Sequence, residues 1–155
     1  MCKDSDTPRL PARVLDVMNN ACVRIRETKD EHREHACLSH CRGPPDSSKI
    51  LRTVKATLAM FLEGVPWHLL PRSFRDAIEF THGLRIRYPW TDLLCIVQDD
   101  SVAWDREAAN MAGIYEDCIV TPAAWTSAHA DGGFFPEAGR YFRGKRSATL
   151  KDVMV

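Results

Sequence analysis

The chain has 155 residues, 45% hydrophobic and 27% charged, and its 21 Lys and Arg balance 21 Asp and Glu for zero net charge and a pI near 7.0. That size and composition suit one globular domain with its own core and exclude wholesale disorder. The charge balance argues against a nucleic-acid binder, which needs a basic excess or stripe for its phosphate contacts.

In chain order, Val14, Leu15, Met18, Cys22 and Ile25 approximate helical spacing and predict a helix over roughly 12–27 within a polar lead-in, residues 1–34. Ala36-Cys37-Leu38-Ser39 reads as a short buried strand that runs into the sharp loop His40-Cys41-Arg42-Gly43-Pro44-Pro45. Ile50, Leu51, Val54, Leu58, Phe61 and Leu62 predict an amphipathic helix over 48–63, stopped by Gly64 and Pro66. Pro71 opens a second helix, with Phe74, Ala77, Ile78 and Thr81 as its buried stripe and Gly83 just past its C-cap. The continuous apolar run Leu93-Leu94-Cys95-Ile96-Val97 predicts a strand covered on both faces. Asp99-Asp100-Ser101 supplies the N-cap of a helix whose stripe is Trp104, Ala108, Met111 and Tyr115. Cys118-Ile119-Val120-Thr121 is a third strand candidate, and Pro122 places it at an edge or an end. Strands that alternate with amphipathic helices favour an α/β domain: a mainly parallel sheet flanked by helices, layered in a flavodoxin-like way. That domain is expected over 35–140, followed by a tail, 141–155, whose basic residues read as solvated.

The N-terminal MCKDSDTPRL carries no apolar signal region, and no run approaches the roughly 18 apolar residues of a membrane span. A cytoplasmic protein without a membrane partner is expected, with Cys2, Cys22, Cys37, Cys41, Cys95 and Cys118 as reduced thiols. His32, His35, Cys37, His40 and Cys41 are dense enough for zinc, yet no second ligand knuckle follows and the HExxH spacing is missing; no metal and no bound cofactor are expected. Asp92 abuts an apolar run, so it either caps a neighbouring loop or belongs to a site at the C-terminal sheet edge with Gln98, Asp99 and Asp100. Glu107, early in the last helix, either favours the helix dipole or is a carboxylate aimed into a cleft, able to act as a base or to stabilise a cation. Cys95, in mid-run, reads as an inert core thiol. No nucleophile elbow, phosphate-binding glycine loop or dinucleotide fingerprint is present.

Several of these segments line up with one family. Leu38-Ser39-His40-Cys41-Arg42-Gly43 resembles the LSxCWG block of the fungal heterokaryon incompatibility (HET) domain, and Leu70 to Ile78 resembles its LPxTxxDAI block, with Asp76 at the Asp position. Gly83 to Asp100 resembles LGxRYLWIDxLCIxQDD through Trp90, Asp92, Cys95, Gln98 and Asp99. Trp104, Glu107, Met111 and Ile114-Tyr115 follow as in DWxxExxxMxxIYxxA, and Asp131-Gly132-Gly133-Phe134 resembles the closing DxxxGL turn. The resemblance implies a cytosolic signalling domain of filamentous fungi, distantly similar to TIR domains, that triggers programmed cell death in nonself recognition by self-association or partner binding. It also implies a rival activity. Some TIR domains cleave NAD+ with a Glu on a helix after a Trp, and Glu107 is the matching candidate catalytic residue, with NAD+ as substrate. On the same resemblance Ser39, Gly43, Asp76, Trp90, Asp92, Cys95, Gln98, Asp99, Trp104 and Tyr115 are candidate motif or cleft residues. This sequence departs from the family pattern at Arg42 (Trp in the family), Pro89 (Leu), Thr91 (Ile), Cys118 (Ala) and Pro122 (apolar). Those departures keep a third reading in view, a truncated or decayed copy without activity.

Overall fold

A computed structural model describes residues 7–19, 22–39 and 51–122. In chain order the elements are β1 (Arg13–Asn19), β2 (Cys22–Glu27), β3 (His35–Cys37), α1 (Lys55–Glu63), a 3-10 turn (Trp67–Leu69), α2 (Arg72–Gly83), β4 (Tyr88–Trp90), α3 (Asp92–Cys95) and α4 (Ser101–Glu116). β1 and β2 form an antiparallel hairpin, and β3 and β4 pair in parallel. An isolated parallel bridge, Ala36 to Val120, adds the segment after α4 to the outer side of β3. The class is mixed α/β, but among the described residues the sheet is not mainly parallel, and two small sheets stand where a continuous flavodoxin-like one was expected.

The expected helix over 12–27 is instead the hairpin. β2 alternates, with Val23 and Ile25 buried between exposed Cys22 and Arg24. β1 shows no alternation because Val14, Leu15, Asp16 and Val17 are all buried. It lies between β2 and β4, and the Val17 N–H donates to the Arg87 carbonyl at 3.1 Å. Buried on both faces, β1 lost the period-2 signature that separates a strand from a helix.

Asp16 is the one acidic side chain sealed inside this hairpin. Arg87 donates to it twice, at 2.6 and 3.1 Å, and Arg24 once, at 3.4 Å, both from half-exposed positions. Burial pushes its carboxyl up, but the hydrogen bonds and charge of Arg87, then Arg24, outweigh burial and hold it below the ordinary carboxylate value of 3.8. Since the folded-state value lies below the unfolded one, the ionised carboxylate contributes its stability above about pH 4, and the contribution is lost as pH falls through the depressed value. Asp16→Asn is expected to cost about 2 kcal/mol at pH 7 and to flatten the acid limb of the stability profile. Urea midpoints measured from pH 7 to pH 3 check both effects. Arg87 and Arg26 also stack on Tyr88, each 5.5 Å from the ring centroid, and Arg26 donates to the Tyr88 hydroxyl at 2.7 Å.

α1 begins at Lys55, later than expected. Thr53 is tied down outside the helix by its N–H to the Leu93 carbonyl (2.9 Å), its hydroxyl to the Leu94 carbonyl (2.7 Å) and its own carbonyl, which accepts from Gln98 N–H (2.8 Å). Expected positions 48–50 lie outside the described residues. The helix closes at Gly64, and Val65 then bonds β2 through its N–H to Val23 (2.7 Å). α2 buries Phe74, Ala77, Ile78 and Thr81, the stripe expected of it. Its C-terminal stop falls two residues later than Gly83. Arg85 takes the left-handed conformation (φ 62°), donating to His82 while Ile86 donates to Thr81, the double closure of a Schellman motif.

The strand expected at 93–97 is displaced. The chain pairs earlier, at β4, and Thr91 then starts the single helical turn α3; Leu93 to Val97 are all buried as a plug beneath the sheets. An unbroken apolar run does not distinguish a buried strand from a buried turn of helix. Pro89 sits in mid-β4 without damage to the β3 ladder. The Trp90 carbonyl accepts from Leu38 N–H (2.8 Å), so by alternation the Pro89 nitrogen points away from β3. Trp90, Phe61 and Phe74 are the largest side chains of a single core cluster that also takes Leu10, Val14 and Ile25 from the N-terminal segment.

Candidate functional site

Most of the motif residues expected around a site are built into the frame. Trp90 is 1% exposed and meets Tyr115 edge-on, with ring centroids 5.7 Å apart at 83°; the Tyr115 hydroxyl donates to the Leu38 carbonyl at 3.3 Å. Asp92 heads α3, where its carboxylate accepts the Leu93 N–H at 2.9 Å. The Gln98 side-chain amide donates to the Asp92 and Ile96 carbonyls at 2.9 and 3.0 Å, closing the turn after α3. Asp99 caps α1 from a distance by accepting the Lys55 N–H at 2.8 Å, and Asp100 caps α4 by accepting the Ala103 N–H at 3.0 Å. Cys95 is sealed in the core, and burial pushes its thiol up to about 12, which fits an inert thiol. Trp104 is half-buried against the core, Asp76 half-buried on α2, and the Ser39 N–H donates to the Pro122 carbonyl at 3.0 Å. Gly43, Arg42, His40, Cys41 and the Asp131–Phe134 turn lie outside the described residues.

One departure from the family pattern has an energetic signature. Thr91 is 1% exposed, and its hydroxyl finds no partner among the described residues. A buried hydroxyl without a hydrogen bond costs about 1–3 kcal/mol, so the Ile-like methyl of Thr91→Val is expected to raise stability by about 1 kcal/mol. A higher urea midpoint at unchanged slope checks it.

Glu107 has a different setting. It is one of two side chains buried by α4 and is 5% exposed. It borders an open cleft of about 680 Å3, with Asn110 and Asp117 further along the same helix and Arg9, Lys29 and Asp30 on the facing wall. Arg106 Nε donates to its carboxylate at 3.4 Å, a long contact from a mostly exposed side chain. The far wall is firmly built. Leu10 N–H donates to Glu31, Thr28 N–H to Ala12 and the Thr28 hydroxyl to Pro11 at 2.6 Å, while Arg9 pairs with Asp30. A buried carboxylate at the edge of a cleft can accept a proton or stabilise a developing cation, and cationic side chains across from it can hold an anion. The facing wall could not be read from sequence, because only the hairpin brings residues 9 and 28–30 to α4.

Of the histidine and cysteine cluster, His35 and Cys37 bond the last turn of α4, while His32 bonds the Thr7 carbonyl through Nδ1 at 2.9 Å. His35 Nε2 donates to the Ile114 carbonyl at 3.1 Å, and Cys37 Sγ to the same oxygen at 3.4 Å; burial holds the His35 imidazole below its usual value. Among the described residues no group of three His, Cys, Asp or Glu side chains could hold a metal ion, and no helix is long and apolar enough to cross a membrane.

The mixed α/β arrangement and the ordered blocks meet in the comparison with known families. The heterokaryon incompatibility protein (HET) family model matches residues 35–152, and the chain belongs to that family. No curated protein and no solved structure gives a significant match.

Proposed function

We propose that this chain is a cytoplasmic HET signalling domain of filamentous fungi, an effector of programmed cell death in nonself recognition that works by binding itself or a protein partner. The family match over 35–152 carries this reading. The placement of the motif residues supports it: Trp90, Gln98, Asp99 and Tyr115 hold the fold together, as expected where the family signature preserves a scaffold. Pro89 and Pro122 are accommodated, one with its nitrogen turned from the β3 ladder and one just past the Ala36–Val120 bridge, where its carbonyl accepts the Ser39 N–H. That weighs against decay as the reason for these two departures.

A second reading rests on one observation, the burial of Glu107 at the edge of the cleft. In that reading the chain is a TIR-like NAD+ glycohydrolase, with Glu107 stabilising the cation that develops as the nicotinamide–ribose bond breaks. Purified protein incubated with NAD+ separates the two. The scaffold reading expects no nicotinamide, and a molar mass by light scattering that rises with protein concentration or on addition of a partner. The enzymatic reading expects nicotinamide release that falls by roughly 100-fold or more in Glu107→Gln, with the unfolding midpoint little changed. Release that survives in Glu107→Gln removes Glu107 from the chemistry.

A further inference from the structure

Two free thiols meet at the C-terminal end of α4. Cys37 comes from β3 and is fully buried; Cys118 lies just past the helix and is half-buried. They bind consecutive carbonyls of the last helical turn, Cys37 Sγ donating to Ile114 at 3.4 Å and Cys118 Sγ to Tyr115 at 3.1 Å. Backbone bonds fix the approach of the two segments: Ile119 N–H donates to His35 at 2.9 Å and Cys37 N–H to Val120 at 3.0 Å, on either side of the Ala36–Val120 bridge. Burial pushes the Cys37 thiol far up, and the neighbouring Cys118 thiol adds to the push. The two sulfurs therefore have unequal chemistry. Cys118 is the one that solvent reaches, and Cys37 waits behind it.

We propose that Cys37 and Cys118 form a reversible disulfide when the protein meets a hydroperoxide, a modification site that staples β3 to the end of α4. In the first step the Cys118 thiolate attacks one peroxide oxygen. The O–O bond breaks, the sulfur becomes a sulfenic acid, and the other oxygen leaves as hydroxide or alkoxide and takes up a proton. In the second step the Cys37 sulfur attacks the sulfenic sulfur. The S–S bond forms as the S–O bond breaks, and the departing hydroxide leaves as water with the Cys37 proton. The two sulfurs together lose two electrons and the peroxide gains them. Cys95 also lies near Cys37 but is enclosed in the core, so it offers no solvent-facing partner.

The test uses the full chain, exposed to hydrogen peroxide, alkylated while folded, then digested and mapped by mass spectrometry. The expected result is a peptide pair joined through Cys37 and Cys118, lighter by about 2 Da than the two thiol peptides and separated again by dithiothreitol. The bond closes a loop of about 80 residues, so the thermal midpoint should rise by roughly 5–10 °C on oxidation. Cys118→Ser should abolish both the link and the rise. Mapping of the unmutated chain decides the question even if a variant folds poorly. Recovery of both residues as free thiols, over-oxidation of Cys118 with Cys37 unlinked, or a Cys37–Cys95 bond would each overturn the proposal.

Discussion

A chain that begins at residue 35 is expected to lose cooperative folding, although the family match starts there. Leu10, Val14, Leu15, Val17, Val23 and Ile25 are all at most 3% exposed and belong to the same core cluster as Phe61, Phe74 and Trp90. Burial of an aliphatic side chain contributes about 1.5–3 kcal/mol, so removing the six withdraws roughly 10 kcal/mol or more. A domain of this size holds only about 5–15 kcal/mol in total. Truncation would also strip the β1 neighbour from β4, deprive the Arg87 side chain of Asp16, and remove the bond that pins Val65 to Val23. Urea unfolding followed by far-ultraviolet circular dichroism is the check. A broad, sloping trace is expected; a sharp transition near the full-length midpoint would mean that the hairpin is an accessory.

Trp90→Ala is expected to cost about 3–5 kcal/mol, the range for emptying a large aromatic site in a core that collapses only partly. Trp90 is the largest fully buried side chain among the described residues, and its edge-on contact with Tyr115 couples β4 to α4. Aromatic pairs of this geometry add about 0.5–1.5 kcal/mol beyond their buried area. Its backbone bond to Leu38 survives the substitution, so the loss reports packing rather than the ladder. The urea midpoint should drop sharply with little change in slope, and Trp90→Phe should recover part of the difference. A loss below about 1 kcal/mol would place Trp90 outside the structural frame and return it to the candidate cleft residues.

What the sequence made legible follows from which signals are local. α2 could be read from its apolar stripe and Pro71, and α4 from its cap Asp100, although α4 buries Glu107 and Ile114 while Trp104, Met111 and Tyr115 of its expected stripe are only half-buried. The hairpin could not, because Val14, Leu15, Met18, Cys22 and Ile25 satisfy helical spacing by coincidence once β1 is buried on both faces. The missed clue was Asn19-Asn20 between two stretches rich in β-branched residues. The plug at 93–97 was legible as buried and illegible in conformation. It becomes a helical turn because Thr53, distant in sequence, and Gln98, at the end of the run, tie down the backbone around it. The same limit applies to the candidate site. Glu107 is picked out by its motif, but its cleft requires Arg9, Lys29 and Asp30, whose arrival depends on tertiary structure. Asp99 was legible as a polar residue near a helix start, yet the helix it caps is α1, 44 positions earlier in sequence.

The proposed role as a death effector is most directly tested by inducing expression of the chain in a filamentous fungus while measuring viability and soluble protein in the same cultures. Death of the expressing hyphae at modest soluble levels is expected, and Trp90→Ala, which unseats the frame, should lose the effect along with the soluble protein. Normal growth with abundant soluble, cooperatively folding protein would contradict it.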